Sequence, residues 1–189
     1  SDISQKKFYS DISPLVMVSK DSFTKDLFFV NYTYPSWSGY FNYVIEKNTP
    51  DDFHLKTQYF SLNLKNKKSP LLENEFGFLN MAENSTFYYS LTNLATAGDI
   101  IIDGKRIKVT GKSWMDHQWA DAVYSGFKWT WFSLQLNNDT EIVCFSFENK
   151  SKQKTNLASL IDESGRQSSY QEVNFNQIGD IWQSPETKA

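Results

Sequence analysis

The chain has 189 residues, which is enough for one domain with a substantial core and leaves little room for a second. Its formal net charge of −3, with lysines scattered along the sequence, provides no basic surface for nucleic acid. No apolar run approaches the roughly 20 residues of a membrane-spanning helix, so we expect no integral membrane segment.

The first half of the chain has the residue pattern of β-strands separated by polar turns. Aromatic and β-branched residues dominate DLFFVNYTY (26–34) and GYFNYVIE (39–46), which we predict as strands. After the break at NTPDD, the segment FHLKTQYFSLNL (53–64) alternates apolar and polar residues and predicts one half-buried strand. The polar run KNKKSPLLENE that follows it is predicted as a loop.

The rest of the chain continues this pattern. TFYYSLTNLA (86–95) is predicted as a strand, and Asp103-Gly104 is a strong signal for a tight hairpin between DIII and IKVTG. FKWTWFSLQL (127–136) and TEIVCFSFE (140–148) predict a second hairpin across NND, and we expect LASLID and QEVNFNQ to be strands on either side of ESGR. About ten strands with few or no long helices predict an all-β antiparallel sandwich or barrel.

FKWTWFSLQL carries aromatic residues on both faces of its predicted strand. Side chains alternate along a strand, so Trp129, Trp131 and Gln135 share one face, while Phe132 and Leu134 share the other. We therefore expect the strand to be covered on both sides. The two tryptophans would form a stacking wall for a flat or polyene-like ligand; the alternative is that they only fill the core.

The segment SWMDHQWA (113–120) places an acid and an imidazole between two tryptophans. In an apolar pocket His117 could transfer a proton near neutral pH, and desolvation could hold Asp116 as a neutral acid. Such groups can protonate a double bond, add water or enolise a ketone. Because successive strand residues point to opposite faces, the two side chains need not touch. The alternative is that both bind backbone groups at a sharp turn.

Residue patterns exclude other common kinds of site. GKSWM ends in Met115 and lacks the second glycine of a nucleophilic serine turn. Two isolated histidines and the single cysteine, Cys144, show no zinc-ligand spacing, and the sequence has no glycine-rich phosphate loop. We therefore expect neither a metal nor a nucleotide cofactor. Four N-x-S/T sequons do not fix the cellular compartment, which stays open.

Two blocks of the sequence resemble a known family. YYSLTNLATAGDIIIDGKRIKVTGKSWMDHQWA, followed by WTWFSLQLNNDTEIVCF, is similar to the lipocalin-like family of carotenoid 1,2-hydratases and AttH-type proteins. That family reads V-x-G-x-(A/S)-W-(M/F/L)-D-H-(Q/E)-W-G, then W-(F/D)-x-L-Q-L and an apolar strand. The match is clear over 87–147 and weaker over 37–60, and GDIWQSP is similar to the W-x-S-P that closes the family's first domain.

The resemblance implies a lipocalin-like β-barrel of about ten strands, with residues 1–189 as a single domain. Such a domain is normally the first of two, so the expected protein partner is a second lipocalin-like domain or a second copy in a homodimer. The family includes hydratases of isoprenoid and flavonoid double bonds, cyclases and lipid carriers. In the hydratases the motif His and Trp matter for activity, and they correspond here to His117 and Trp119, with Asp116 beside them.

The sequence departs from the family pattern at two places. The hydratases also use a Tyr and an Asp on a later strand, and VCFSFENK offers no Tyr-x-Asp, which argues against carotenoid hydration. Ala120 replaces the usual glycine after the motif. Within the implied barrel, SWMDHQWA is expected to cross from a strand into a loop at one end.

Residues and resemblance together lead to one hypothesis and two alternatives. The hypothesis is an enzyme of hydratase, isomerase or cyclase type that acts on an isoprenoid, polyene or polyketide-like substrate. His117 would be the general acid or base, Asp116 would orient or share the proton, and Trp119 would assist by stabilising developing positive charge. Contacts with this hydrophobic ligand are assigned to Trp114, Trp129, Trp131, Tyr88, Tyr124 and Gln135. The alternatives are a non-catalytic carrier of a lipid or isoprenoid and a scaffold for a partner domain.

Overall fold

The computed structural model describes residues 7, 29–36, 39–47, 49, 51–81, 84–120, 128–180, 183 and 185, with the backbone alone for 29–36, 39–47, 81 and 84. This part of the chain contains twelve β-strands and one short 3-10 helix, Glu73–Glu75. The strands are β1 Phe29–Ser36, β2 Gly39–Lys47, β3 Asp52–Lys56, β4 Phe60–Asn66, β5 Leu71–Leu72, β6 Phe78–Met81, β7 Asn84–Ile102, β8 Lys105–Trp119, β9 Lys128–Gln135, β10 Glu141–Glu148, β11 Lys154–Ile161 and β12 Gln167–Tyr170. The prediction of an all-β fold without long helices is confirmed for these residues.

The strands form two sheets, and every strand pair with a defined register is antiparallel, as predicted. Eight strands make one sheet with the order β1-β2-β3-β4-β7-β5, in which β6 and β8 also pair with β7. The other four make a sheet with the order β12-β11-β10-β9. Closure of these sheets into a barrel stays a prediction. In the described residues no helix has the length and apolar character needed to cross a membrane.

The chain divides into two compact units. The first comprises residues 1–70 and 90–116, and the second comprises residues 71–89 and 117–189. The long strands β7 and β8 contribute to both, because the division falls between Tyr89 and Ser90 and again between Asp116 and His117. Asp116 and His117, which are adjacent in the chain, therefore belong to different units.

In the first unit β3 and β4 form a hairpin where one continuous strand was predicted. β3 ends at Lys56 and β4 begins at Phe60. Buried Thr57 makes the turn, because its hydroxyl accepts hydrogen bonds from the backbone N–H groups of Tyr59 (3.0 Å) and Phe60 (3.3 Å). The alternation in FHLKTQYFSLNL holds on each side of Thr57, but the prediction of a single strand was wrong.

β4 and β7 approach each other closely at Gly98, which lies opposite Leu62. A Cβ atom on Gly98 would overlap the backbone oxygen of Ser61 and lie 2.9 Å from Cα of Leu62. The pairing of β4 with β7 at this point therefore requires a residue without a side chain.

Two predicted hairpins are confirmed. Asp103 and Gly104 join β7 to β8 with positive φ angles of 50° and 74°, as in a type I′ turn. β9 and β10 pair across NND, where the N–H of Leu136 donates to the carbonyl of Thr140 at 2.9 Å. Both turns are specified by residues within the turn itself, which is why the sequence reveals them.

Two other local predictions were wrong. KNKKSPLLENE is not a simple loop, because it contains β5 and the 3-10 helix, where Leu71 and Glu73 are completely buried. After ESGR the strand is β12, and QEVNFNQ contains no strand. Asp162 fixes that turn, since its Oδ1 accepts hydrogen bonds from the N–H groups of Ser164 (2.9 Å) and Arg166 (3.0 Å). The next strand therefore starts directly after Arg166.

The core of the second unit determines which side chains of β7 remain available for a site. One hydrophobic cluster joins side chains from four strands: Leu79, Tyr88, Phe145, Phe147 and Leu157. Tyr88 is the contribution of β7 to this cluster. Because side chains alternate along a strand, its neighbours Phe87 and Tyr89 point to the opposite face.

Candidate functional site

His117 lies near the end of β8 and is paired with a tyrosine of β7. Its Nδ1 atom is 3.0 Å from the hydroxyl oxygen of Tyr89, and the two rings meet edge to face with centroids 5.2 Å apart. Both residues belong to the second unit. His117 is exposed and Tyr89 is half-buried, so a partly buried partner orients an imidazole at the surface.

A row of aromatic rings continues from this pair across β6, β7 and β8. Trp119 lies against His117 with centroids 4.9 Å apart and stacks on Phe87 at 5.5 Å. Phe87 in turn contacts Phe78, with 5.4 Å between centroids. Phe78, Phe87 and Trp119 keep 41%, 47% and 48% of their surface exposed, so a ligand can cover them. We call these five residues, Phe78, Phe87, Tyr89, His117 and Trp119, the ring face.

Burial raises the pKa of the Tyr89 phenol above its ordinary value of 10.0. The phenol is therefore protonated at neutral pH, and it either donates its hydrogen to Nδ1 of His117 or accepts one from Nδ1–H. In the first case Nε2 of a neutral imidazole carries the proton, and in the second Nε2 has a lone pair. When Tyr89 accepts from Nδ1–H, the neutral ring is a base at Nε2, and the imidazolium formed when Nε2 gains a proton is the corresponding acid.

Asp116 has different partners from those of His117. Its Oδ1 accepts hydrogen bonds from the hydroxyl of Ser90 at 2.6 Å and from the indole N–H of Trp114 at 2.8 Å. These three residues belong to the first unit. Ser90 is completely buried and Trp114 is half-buried. Since both partners are side chains rather than backbone groups, Asp116 orients the Trp114 indole.

SWMDHQWA is a regular strand over most of its length. β8 continues through Trp119, so the expected crossing from strand to loop comes only at Ala120. The hydroxyl of Thr86 donates to the carbonyl of Trp119 at 2.9 Å and ties the end of β8 to β7. Strand geometry explains why Asp116 and His117 have separate partners, because successive side chains point to opposite faces.

The tryptophans of β9 do not lie as the sequence suggested. Trp129 and Trp131, on one face of the strand, are 64% and 39% exposed. Phe132 and Leu134, on the other face, are 45% and 42% exposed. The expectation that this strand is covered on both sides is therefore wrong for the described structure. Alternation assigns these side chains to two faces but does not determine what covers each face, and among the described strands β9 pairs with β10.

Three further residues were predicted from the sequence to contact the ligand, and each has a different location. Tyr88 is a core residue, and its hydroxyl accepts a hydrogen bond from the indole N–H of Trp131 at 3.2 Å. Gln135 is exposed at the end of β9. Tyr124 lies outside the described residues. The assignment of these residues to a ligand stays a prediction.

The residues that sequence reasoning missed share a face with His117. In TFYYS, Phe87 and Tyr89 alternate with buried Thr86 and Tyr88. Tyr88 and Tyr89 therefore point to opposite faces of the strand. The alternation does not determine whether Phe87 and Tyr89 or Thr86 and Tyr88 lie on the same face as the His117 imidazole. That depends on the pairing of β7 with β8, which brings together residues 28 positions apart in the chain.

Two other residues with metal-binding or nucleophilic chemistry, Cys144 and His54, lie on strands other than those of the ring face. In the part of the chain that the structure describes, no three His, Cys, Asp or Glu residues are arranged to hold a metal ion. Cys144 is half-buried in β10, and burial raises the pKa of its thiol above the ordinary 9.0. His54 lies in the first unit, with Nε2 3.0 Å from the hydroxyl of Ser61.

Comparisons with known proteins identify relatives of this chain. A model of the AttH-like family matches residues 35–189. The crystal structure of an AttH protein from Nitrosomonas europaea is similar at 26% identity and a TM-score of 0.68, covering 78% of this chain and 49% of that chain. Kievitone hydratase from Nectria haematococca has a similar fold at 12% identity and a TM-score of 0.59, covering 76% of this chain and 58% of that chain. The chain thus spans roughly half the length of each. No curated protein matches it.

Proposed function

The chain belongs to the AttH-like family, and we propose that it is an enzyme of hydratase, isomerase or cyclase type that acts on a hydrophobic substrate. The family match confirms the resemblance read from the two sequence blocks. One observation carries the proposal: the imidazole of His117, oriented by Tyr89 at 3.0 Å, lies at the end of an exposed row of aromatic rings. The substrate class we propose is an isoprenoid, a polyene or a polyketide-like molecule.

The proposed reaction begins with proton transfer from Nε2 of the His117 imidazolium to one carbon of a substrate double bond, which leaves a neutral imidazole. The π electrons form the new C–H bond and leave positive charge on the neighbouring carbon. Water then attacks that carbon in a hydration, a proton leaves in an isomerisation, or a second double bond attacks in a ring closure. In each case the last proton released returns to the imidazole. Tyr89 holds the imidazole in place through Nδ1.

The ring face suits a substrate that becomes positively charged. A cation within about 6 Å of an aromatic centroid is attracted by the π electrons of the ring. Because the Trp119 ring is 4.9 Å from the imidazole, the positive carbon next to the one that His117 protonates would form close to the indole. Phe87 and Phe78 extend the apolar surface away from the imidazole and would bind the uncharged remainder of the substrate.

We assign Asp116 a positioning role. It accepts the indole N–H of Trp114 at 2.8 Å, which fixes the orientation of that ring. Asp116 would then act through Trp114 rather than by sharing a proton with His117. The two roles differ in one measurable respect, because an amide at position 116 keeps an acceptor oxygen but cannot exchange a proton.

The proposal also covers the number of domains, the closure of the barrel and the protein partner. We infer that residues 1–189 form a single lipocalin-like domain whose strands close into a barrel, with the protein partner a second lipocalin-like domain or a second copy of the chain. The antiparallel strand order and the fold shared with kievitone hydratase support this inference. Ligand contacts are proposed for these residues: Trp114, Trp129, Trp131, Tyr88, Tyr124 and Gln135.

Gentle purification followed by native mass spectrometry tests the proposal, because a co-purifying apolar molecule identifies the ligand class. That molecule is then incubated with the wild type, His117→Ala and Tyr89→Phe. We expect His117→Ala to bind it with unchanged affinity and to lose turnover by about 100-fold or more, and Tyr89→Phe to lose less. Turnover by folded His117→Ala at the wild-type rate would refute an acid–base role for this residue. If His117→Ala fails to fold, His117→Gln provides the same comparison.

One observation favours a carrier as the second candidate function. β9 has large apolar side chains exposed on both faces, with Trp129 at 64% and Phe132 at 45%, although Phe132 also stacks on Phe175. A carrier would hold a lipid or isoprenoid against such surfaces without changing it. The incubation above distinguishes the two functions, since a carrier returns the ligand unchanged from the wild type and from His117→Ala alike.

A further inference from the structure

The second unit contains a cavity of about 350 Å³ that is separate from the ring face. Its floor is formed by Leu79, Phe145 and Leu157, three members of the hydrophobic cluster. Leu79 directly follows Phe78 in β6, so the two side chains point to opposite faces of the strand. The volume lies at the lower end of the roughly 300–1,000 Å³ of small-molecule sites, which suits a ligand of one or two rings.

The wall of this cavity is rich in carboxamide groups. Asn74, Asn80, Asn156 and Gln171 line it. Gln171 Nε2 donates to Asn74 Oδ1 at 3.0 Å, which joins two of these amides across the wall. Lys154 is the single charged residue among the described lining residues, and its Nζ lies 3.9 Å from Oε2 of Glu148. The cavity therefore presents neutral donors and acceptors above an apolar floor.

Asn156 carries an acceptor that the described residues do not satisfy. Its Nδ2 donates to the carbonyl of Val173 at 2.6 Å, which fixes the orientation of the amide. Its Oδ1 is buried and has no hydrogen-bond partner among the described residues. A buried acceptor without a donor costs free energy, and this residue is half-buried beside the cavity that it lines.

The backbone beside the cavity is strained. Asn74 and the adjacent Glu75 have φ angles of 55° and 69°, in the left-handed region, which asparagine tolerates and glutamate rarely adopts. Strain of this kind clusters at ligand sites, where the surrounding structure holds a side chain in a required position. The strained residue Glu75 directly follows Asn74, which lines the cavity.

We propose that this cavity binds the ring of a neutral, hydroxyl-rich molecule, either a free sugar or the glycosyl group of a larger amphiphile. Hydroxyl groups both donate and accept hydrogen bonds and therefore match carboxamides, while the C–H face of the ring covers the apolar floor. An anion would find one lysine that already faces Glu148. A hydrocarbon would leave the amides unpaired. The inference is independent of the proposed function, because no lining residue belongs to the ring face.

Titration of the full chain, followed by nitrogen-edited NMR, tests the proposal. The probes are glucose, galactose, mannose and N-acetylglucosamine, together with octyl glucoside. We expect at least one sugar to shift the side-chain amide signals of Asn74, Asn156 and Gln171 with a millimolar Kd. If octyl glucoside binds about tenfold more tightly than glucose at these signals, the ligand is the glycosyl group of an amphiphile; equal affinity indicates a free sugar. If no probe shifts these signals, the proposal is wrong.

Matched variants locate the binding. Asn156→Leu keeps the size of the side chain and removes its amide, and Gln171→Ala removes an exposed amide from the wall. We expect each to raise the sugar Kd about tenfold, whereas Asn63→Ala, an exposed position on β4 in the first unit, leaves it unchanged. Unchanged affinity in folded Gln171→Ala and Asn156→Leu would overturn the proposal. Loss of sugar binding in folded His117→Ala would also overturn it, by moving the binding to the ring face.

Discussion

At the scale of single residues, Tyr89 links the geometry of the site to a measurable pH dependence. Burial raises the pKa of its phenol, so the neutral form is favoured more in the folded chain than in the unfolded chain. A group whose pKa is raised on folding contributes stability below its unfolded pKa, here about 10, and loses it as the pH rises through the folded pKa.

The free energy of unfolding should therefore fall more steeply above about pH 10 in the wild type than in Tyr89→Phe, which keeps the ring and cannot ionise. Denaturant titrations at about pH 8 and about pH 11 measure the difference. Tyr170→Phe is the control, because Tyr170 is 53% exposed. Parallel pH curves for the wild type and Tyr89→Phe would contradict the assignment of Tyr89 as a partly buried partner of His117.

Asp116 can be tested by two substitutions that separate its acceptor oxygen from its charge. Asp116→Ala removes the acceptor that buried Ser90 and Trp114 share, and we expect it to lower the free energy of unfolding by about 1–3 kcal/mol. Asp116→Asn keeps an oxygen in the same position and should cost less than half as much. A large loss of turnover in stable Asp116→Asn would show that position 116 exchanges a proton with substrate or with His117.

At the scale of elements, the glycines of β7 and β8 provide an internal comparison. Gly98→Ala would drive a Cβ atom into the backbone of β4, so we expect a loss of stability of roughly 3 kcal/mol or more. Gly111→Ala meets nothing within 4 Å and should be neutral or slightly stabilising. Thermal unfolding of the two variants, prepared in parallel, measures the difference. Equal melting temperatures would mean that β4 and β7 are not paired in this register.

The same strands show how much of the fold can be read from the sequence. The hairpin at Asp103-Gly104 is predictable because the residues that need a positive φ are themselves the signal. The turn at Thr57 is not, since a threonine in an alternating run also fits a strand, and its hydroxyl forms the turn only once β3 and β4 pair.

Some residues of the candidate site can likewise be identified from the sequence, and others cannot. His117 and Trp119 are visible in the sequence as part of a short motif. Tyr89 and Phe87 are not, because only the pairing of distant strands brings them to the imidazole. Trp129 and Trp131 were predicted from alternation to lie on a covered face. Alternation shows which side chains share a face of a strand, but it does not show what covers that face.

At the scale of the whole molecule, closure into a barrel can be tested along the edge strand β9. In an antiparallel pair, alternate residues direct their N–H groups toward the neighbouring strand or away from it. If β10 is the one neighbour of β9, every second amide hydrogen of β9 should exchange quickly with solvent; closure would protect both sets. We propose closure and expect protection of both sets. Hydrogen exchange followed residue by residue by NMR would contradict it if protection alternates along Lys128–Gln135.

The most direct test of the enzyme proposal follows the atoms of solvent into the ligand. The apolar molecule that co-purifies with the chain is incubated in deuterium oxide and, separately, in heavy-oxygen water, with the wild type and with His117→Gln. We predict that the wild type incorporates a solvent deuteron at carbon, with heavy oxygen added if the reaction is a hydration, and that His117→Gln binds the molecule without labelling it. Recovery of unlabelled ligand from the wild type, or equal labelling by the two proteins, would contradict acid–base catalysis by His117.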